Sequence, residues 1–277
     1  MSRRGRDGCR LNAVRLVIGA IVAISSLVVY FTSQQENPVT GKTQHVGMSV
    51  EQEITLGLEA APKMAQEFGG MERNDEAQAL VDRLGREIVR ESAAGDSPYR
   101  FEFSLLDDGQ TVNAFALPGG PIFITDALYQ ELETEAEVAG VLAHEVAHVV
   151  GRHSAEQIAK AKLTEGLTGA AVIATYDPDN PSSRQVAQMA ALVGQLITMK
   201  YSREHELEAD TLGVCFMSAA GHDPRALLDV MEVLAQAREG RAPPEFLSTH
   251  PNPDNRMDNI REAIGNRESC PKGRGGS

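Results

Sequence analysis

The segment His144-Glu145-Val146-Ala147-His148 constrains this chain more than any other. It lies in an apolar run, residues 138–150, with no Gly or Pro after Val141, and that run predicts a buried helix. Residues four apart on a helix are rotated by only about 40° and sit one turn above each other. His144 and His148 therefore point two imidazoles the same way, with Glu145 about 100° round, at the edge of that face. A buried helix has no packing reason to carry three ionisable groups in five positions, because each costs free energy unless it is paired or coordinated. Two neutral imidazoles are candidate zinc ligands, and the carboxylate beside them is a candidate general base. The five-residue pattern also occurs by chance, so it needs a third ligand from elsewhere.

A second helix-like segment supplies one, in Tyr201-Ser202-Arg203-Glu204-His205-Glu206-Leu207-Glu208-Ala209-Asp210. Glu206 and Asp210 are four apart and share a face. Glu206 can ligate a metal, and Asp210 can accept a hydrogen bond from the free ring nitrogen of a ligand histidine, fixing its tautomer. Glu204 and Glu208 lie about 160° away and read as a solvated acidic face.

Together, these two segments, the later Ser248-Thr249-His250-Pro251 and the earlier Asn113-Ala114-Phe115-Ala116-Leu117-Pro118-Gly119-Gly120 resemble the zinc metallopeptidase family of the HtpX heat-shock protease and the CAAX prenyl endopeptidase. Within it, the small Oma-type, LoiP-like and BepA-like members are the most similar. The resemblance covers roughly residues 49–264, with four motifs in the expected order. It implies an α+β, mainly α, zincin-like fold with a small sheet and an active-site helix. One Zn2+ per chain would be held by His144, His148 and Glu206. Glu145 would activate water and carry its proton to the leaving amine. Asp210 would support a ligand from outside, and Arg256 would anchor the loop through a salt bridge. His250, which spacing alone leaves as a loop histidine bonded to backbone, would face the metal. There it would either steady the oxyanion or cap the ion in a resting state. Asn113, Ala114 and Phe115 would pair with an extended or unfolded protein substrate as an added strand.

Composition sets the remaining bounds. A chain of 277 residues allows one good-sized domain, and 42% hydrophobic content is ample for a core. The net charge is −13, and the first fifteen residues carry five Arg against one Asp. Removing them leaves 21 basic and 38 acidic residues, net −17, with no local basic patch to bind nucleic acid. Residues 16–31 carry no charge, arginines precede them, and the stretch reads as a signal anchor or a signal peptide, the anchor being favoured. Either way the arginine-rich end stays in the cytoplasm and the domain is exported. The expected location is the cell envelope, on the periplasmic side. In that oxidising compartment Cys215 and Cys270 are candidates for a disulfide, the alternative being a buried thiol and a frayed tail.

The expected order is residues 1–31 as the N-terminal segment, 32–48 as a polar linker, 49–266 as the metallopeptidase domain and 267–277 as a disordered tail. Ser49 with Gln52 reads as a capping box, and Asn74 caps a second helix. Strands are expected at 99–106, 111–117 and 121–125 and a helical turn at 126–131. The metal helix follows at 133–153, then helices at 154–176 and 185–200 with a loop between them. Further helices are expected at 204–219, from Pro224, and at 253–264. His153, about 140° round from His148, reads as a surface or helix-end group. His205 reads as a polar contact, His222 as a turn contact and His45 as an inert linker residue. The reading is a zinc endopeptidase of misfolded or unassembled envelope proteins. The alternative is a non-proteolytic envelope chaperone or assembly factor that uses the peptide groove and keeps zinc for structure.

Overall fold

The structure is a computed structural model and describes residues 4–175, 201–237, 244–250, 255–266, 270, 271 and 273. The helix expected at 185–200 and the loop before it lie outside the described residues. The chain divides into two units, the first formed by residues 1–36, 43–47 and 155–199 and the second by residues 37–42, 48–154 and 200–277.

In the first unit, α1 (Arg4–Thr32) contains a 20-residue window, Ala13–Thr32, of mean hydropathy 2.3. At about 1.5 Å per residue that window matches the hydrocarbon core of a bilayer, and only 6% of it is buried. The polar stretch expected as a linker instead pairs as two short antiparallel strands, β1 (Gln34–Glu36) and β2 (Thr43–His45). His45 is not inert: it stacks on Tyr30 with ring centroids 4.3 Å apart. The second long helix, α6 (His153–Thr175), contributes its residues from 155 onward to this unit.

The second unit is built around a sheet of β3 (Glu102–Leu106), β5 (Pro121–Thr125) and β4 (Ala114–Ala116), with β5 in the centre. β3 runs parallel to β5 and β4 runs antiparallel to it. All five residues of β5 are buried, as a strand covered on both faces should be. Before the sheet come α2 (Val50–Glu67), with the Ser49 and Gln52 capping box formed, and α3 (Asp75–Glu91), capped by Asn74. After β5, α4 (Asp126–Glu131) leads into α5 (Glu135–Val150), where every residue from 137 to 150 is buried. Helix α5 is enclosed by α3, α7 (Arg203–Ala219), α8 (Ala226–Gln236) and β4. Two shorter helices, α9 (Glu245–Thr249) and α10 (Arg256–Gly265), close the unit. This is the α+β, mainly helical arrangement expected, with the ionisable helix at its centre. Helices α8 and α10 start two or three residues later than expected, which is the usual latitude of helix ends. Cys215 and Cys270 form a disulfide with Cα atoms 5.4 Å apart, so the segment expected as a disordered tail is tied to α7 at that point.

The metal helix stops three residues short of the expected His153. Asn37 Nδ2 donates to the Val150 carbonyl at 2.8 Å, and Arg152 turns into the left-handed region at φ +57°. Its guanidinium enters a buried pair with Glu53, Nε to Oε1 at 3.0 Å, and also donates to the Met48 carbonyl. The Tyr99 hydroxyl donates to the other Glu53 oxygen at 2.9 Å. Glu53 is 1% and Arg152 4% exposed, so removing one partner strands the other charge in the interior. Glu53→Ala is expected to cost about 3–5 kcal/mol of unfolding free energy in urea titrations. At the exposed Glu51 the same truncation should stay within about 0.5 kcal/mol.

Candidate metal centre

Three elements converge on one buried space. α5 carries His144, Glu145 and His148 on adjoining faces, as the helical spacing demands. α7 begins at the Ser202 cap, whose hydroxyl accepts from the His205 amide at 3.2 Å, and this phase turns Glu206 and Asp210 inward. His250 ends α9, its amide donating to the Phe246 carbonyl at 2.7 Å and its ring stacked on the Phe246 ring at 4.3 Å.

The two α5 imidazoles meet through their Nε2 atoms at 3.0 Å, and each lies 3.6 Å from a different Glu206 oxygen. Ligand atoms of His144, His148, Glu206 and His250 all fall within 4.8 Å of one another, and all four residues are buried. Neither Glu206 oxygen accepts a hydrogen bond, although Arg256 Nη1 is 3.1 Å from Oε2, and His250 Nε2 is likewise without a hydrogen-bond partner. Buried acceptors converging on one point without donors are what a cation requires, and a nitrogen-rich set with one carboxylate suits zinc. Glu145 stands beside the cluster, its Oε1 3.5 Å from His250 Nε2.

A further ring of groups fixes these side chains. Asp210 Oδ1 is 3.2 Å from His144 Nδ1. Arg256 holds Asp210 by two bonds of 2.8 and 2.7 Å while also facing Glu206. His250 Nδ1 is 3.0 Å from Thr249 Oγ1, a contact that leaves Nε2 for the cluster. Tyr201, which the sequence marked only as part of a motif, stacks on His148 at 4.2 Å and shares a 2.8 Å hydrogen bond with Ser154.

Asn113 and Ala114 are buried and Phe115 is half-buried, stacked on Phe123. They lie at or on β4, the edge of the sheet that packs against α5, and β4 has no further strand partner among the described residues. His222 contacts Glu87 at 3.8 Å from the turn where Gly221 takes φ +80°. His153 does stand at a helix end, opening α6, but it and Glu208 are not on the surface. His153 is fully buried and stacks on the buried His205 at 4.4 Å. Glu208 is mostly buried and pairs with Lys42 at 2.8 Å, while Glu204 alone is exposed. The helix break at Arg152 rotates His153 inward, and a Gly-Arg pair interrupting a run of helix formers was its one local signal.

Protein charges alone divide the cluster's protons unevenly. Burial pushes Glu145 up to about 7, with the positive His144 pulling the other way and Glu206 adding to the rise. For His144 burial opposes the charged form, but the carboxylates of Asp210 and Glu206 beside the ring prevail and raise it to about 9. Burial and the nearby His144 charge hold His148 and His250 well below the ordinary histidine value. Burial works against the Asp210 carboxylate, yet the Arg256 charge outweighs it and lowers the pKa.

The model of peptidase family M48 matches residues 75–264. The chain is 30% identical over 267 residues to the beta-barrel assembly-enhancing protease of Yersinia pestis, covering 92% of this chain and 53% of that protein. Identity to the protein of the same name from Escherichia coli is 29%, covering 90% and 51%. Identity to the mitochondrial metalloendopeptidase OMA1 of Schizosaccharomyces pombe is 31%, covering 89% and 71%. The chain spans about half the length of the two bacterial relatives.

At neutral pH the His144 ring holds a proton that a metal ion must displace, since its pKa is near 9. Zinc affinity should therefore rise about tenfold per pH unit from pH 7 and level off above pH 9, measured by chelator competition.

Proposed function

The chain belongs to peptidase family M48, and from that premise we propose that it is a zinc-dependent endopeptidase acting on misfolded or unassembled proteins of the cell envelope. The observation that carries this reading is the buried His144, His148, Glu206 and His250 cluster with Glu145 beside it. His144, His148 and Glu206 are the metal ligands, and Arg256 and Asp210 hold them in place. A zinc ion there would polarise the scissile carbonyl and acidify a water molecule.

The chain's own groups do the rest. Glu145 takes the proton of the attacking water and delivers it to the leaving amine, a task suited to a carboxyl raised to about 7. Asn113, Ala114 and Phe115 present the edge of β4, which has no further strand partner among the described residues, to an extended peptide backbone, so substrates are unfolded or looped segments. His250 supplies a fourth ligand in a resting state, which its place in the cluster supports, and must move aside for substrate.

Residues 49–266 form the peptidase domain, with Ala13–Thr32 as a membrane anchor that leaves the domain on the periplasmic side. The names of the bacterial relatives favour substrates connected with β-barrel assembly, and the apolar window favours attachment to a membrane. A chaperone or assembly factor that only holds peptides is the rival. The presence of Glu145 counts against it, since a structural zinc site needs no general base.

Casein hydrolysis and zinc content of the purified protein separate the two. Glu145→Gln is expected to keep one zinc per chain and lose about 10²–10⁴-fold in turnover. Glu206→Ala should lose most of its zinc. A wild-type protein that binds zinc and unfolded peptide but never cleaves it would establish the rival.

The same assay tests the resting state. His250→Ala should raise turnover, whereas a fall of about 10²-fold would assign His250 to the oxyanion instead.

A further inference from the structure

The two ligand histidines on α5 are held from behind by different means. His144 leans directly on the Asp210 carboxylate. Nδ1 of His148 meets instead a third imidazole, with His153 Nδ1 2.9 Å away. The break between α5 and α6 makes this contact, because Arg152 at φ +57° folds the chain back before α6 restarts at His153. The return is tight. A Cβ at Gly151 would lie 2.4 Å from His153 Nε2, so glycine is needed for the ring to sit where it does. On its far side His153 Nε2 faces Glu208 Oε2 at 3.5 Å, and Lys42 Nζ reaches the same oxygen at 2.8 Å. His205 stacks nearly parallel on the His153 ring, 11° between planes, which fixes its orientation.

We propose that His153 is the positioning residue for His148, an acceptor that locks the ligand's tautomer and ring plane through a chain ending at Glu208 and Lys42. The proton placement follows from the geometry. Nε2 of His148 points into the cluster, towards His144 Nε2 and Glu206, so its lone pair is the one a metal would use. The His148 proton therefore sits on Nδ1 and is donated to His153 Nδ1. His153 then carries its own proton on Nε2, on the side where Glu208 Oε2 lies 3.5 Å away, an electrostatic contact rather than a hydrogen bond. A carboxylate at the end of this line makes His153 Nδ1 a better acceptor for the His148 proton, which raises the basicity of the ligand nitrogen. The inference rests on the zinc reading above.

Zinc dissociation constants of the full-length protein, from chelator competition, test it without reference to turnover. His153→Ala should weaken zinc binding by about 10–100-fold. In His153→Asn the side-chain oxygen falls where Nδ1 was, and affinity should return to within about threefold of wild type. The visible spectrum of the cobalt-substituted protein should shift for His153→Ala and not for His153→Asn. Glu208→Ala, at the more accessible end of the chain, should weaken zinc in the same direction by a smaller factor.

His153→Ala with wild-type affinity, or equal losses in the Ala and Asn variants, would overturn the proposal. Should His153→Ala fail to fold, unchanged affinity in Glu208→Ala would overturn it. A wild-type protein that takes up no zinc would overturn the metal centre itself, and this inference with it.

Discussion

Five ionisable side chains, His144, Glu145, His148, Glu206 and Asp210, share one buried space, and the buried Arg256 is the fixed positive charge that makes that space tenable. Two carboxylates that far from water would protonate or force the helices apart without it. Arg256 neutralises Asp210 through two hydrogen bonds and faces Glu206 with its remaining nitrogen. It thereby fixes the rotamers of both α7 carboxylates by contacts within the protein. The Glu206 oxygens that accept no hydrogen bond are then directed at the imidazoles rather than satisfied internally. A site prepared in this way has met part of the ordering cost of binding in advance.

The same enclosure raises the basicity of Glu145. An exposed glutamate is too weak a base near neutrality to compete for a water proton. Enclosing α5 on every side raises this one to about 7, where it is mostly unprotonated above neutral pH and still strong enough to take a proton. The apolar run that predicts a buried helix and the chemistry that it carries are therefore one fact. A more exposed α5 would carry the same five residues with a less useful carboxylate.

What could be read from the sequence was what depends on near neighbours. The faces of His144 and His148, the Ser49 and Asn74 caps, the β5 boundaries and the short α4 all follow from spacings of a few residues. The errors fall where a distant partner decides. A straight helix would carry His153 away from the site, but the helix ends because Asn37 caps Val150 and Glu53 draws Arg152 aside. Glu208 looked solvated because its partner, Lys42, belongs to a turn far upstream. Pairing of Cys215 with Cys270 required a Cα separation that no spacing provides. Of the site itself, the ligand candidates were legible as a repeated four-residue interval, while the placement of Tyr201 and His153 against His148 was not.

The turn at residues 37–42 deserves weight for this reason. It contributes Asn37 to the end of α5 and Lys42 to the carboxylate that faces His153. Both contacts bear on where α5 stops, and hence on which ring stands behind His148. Apart from Val39, which packs against the core, the segment holds the metal helices through directed polar bonds. Such bonds are individually modest and depend on geometry, whereas the apolar packing of α5 against α7 and α3 is broad and tolerant. Packing therefore decides that the helices meet, and a few polar contacts from outside the central helices decide how the ligands are aimed. Changes in this turn should alter metal affinity well before they alter the fold, because they remove direction and leave the buried area intact.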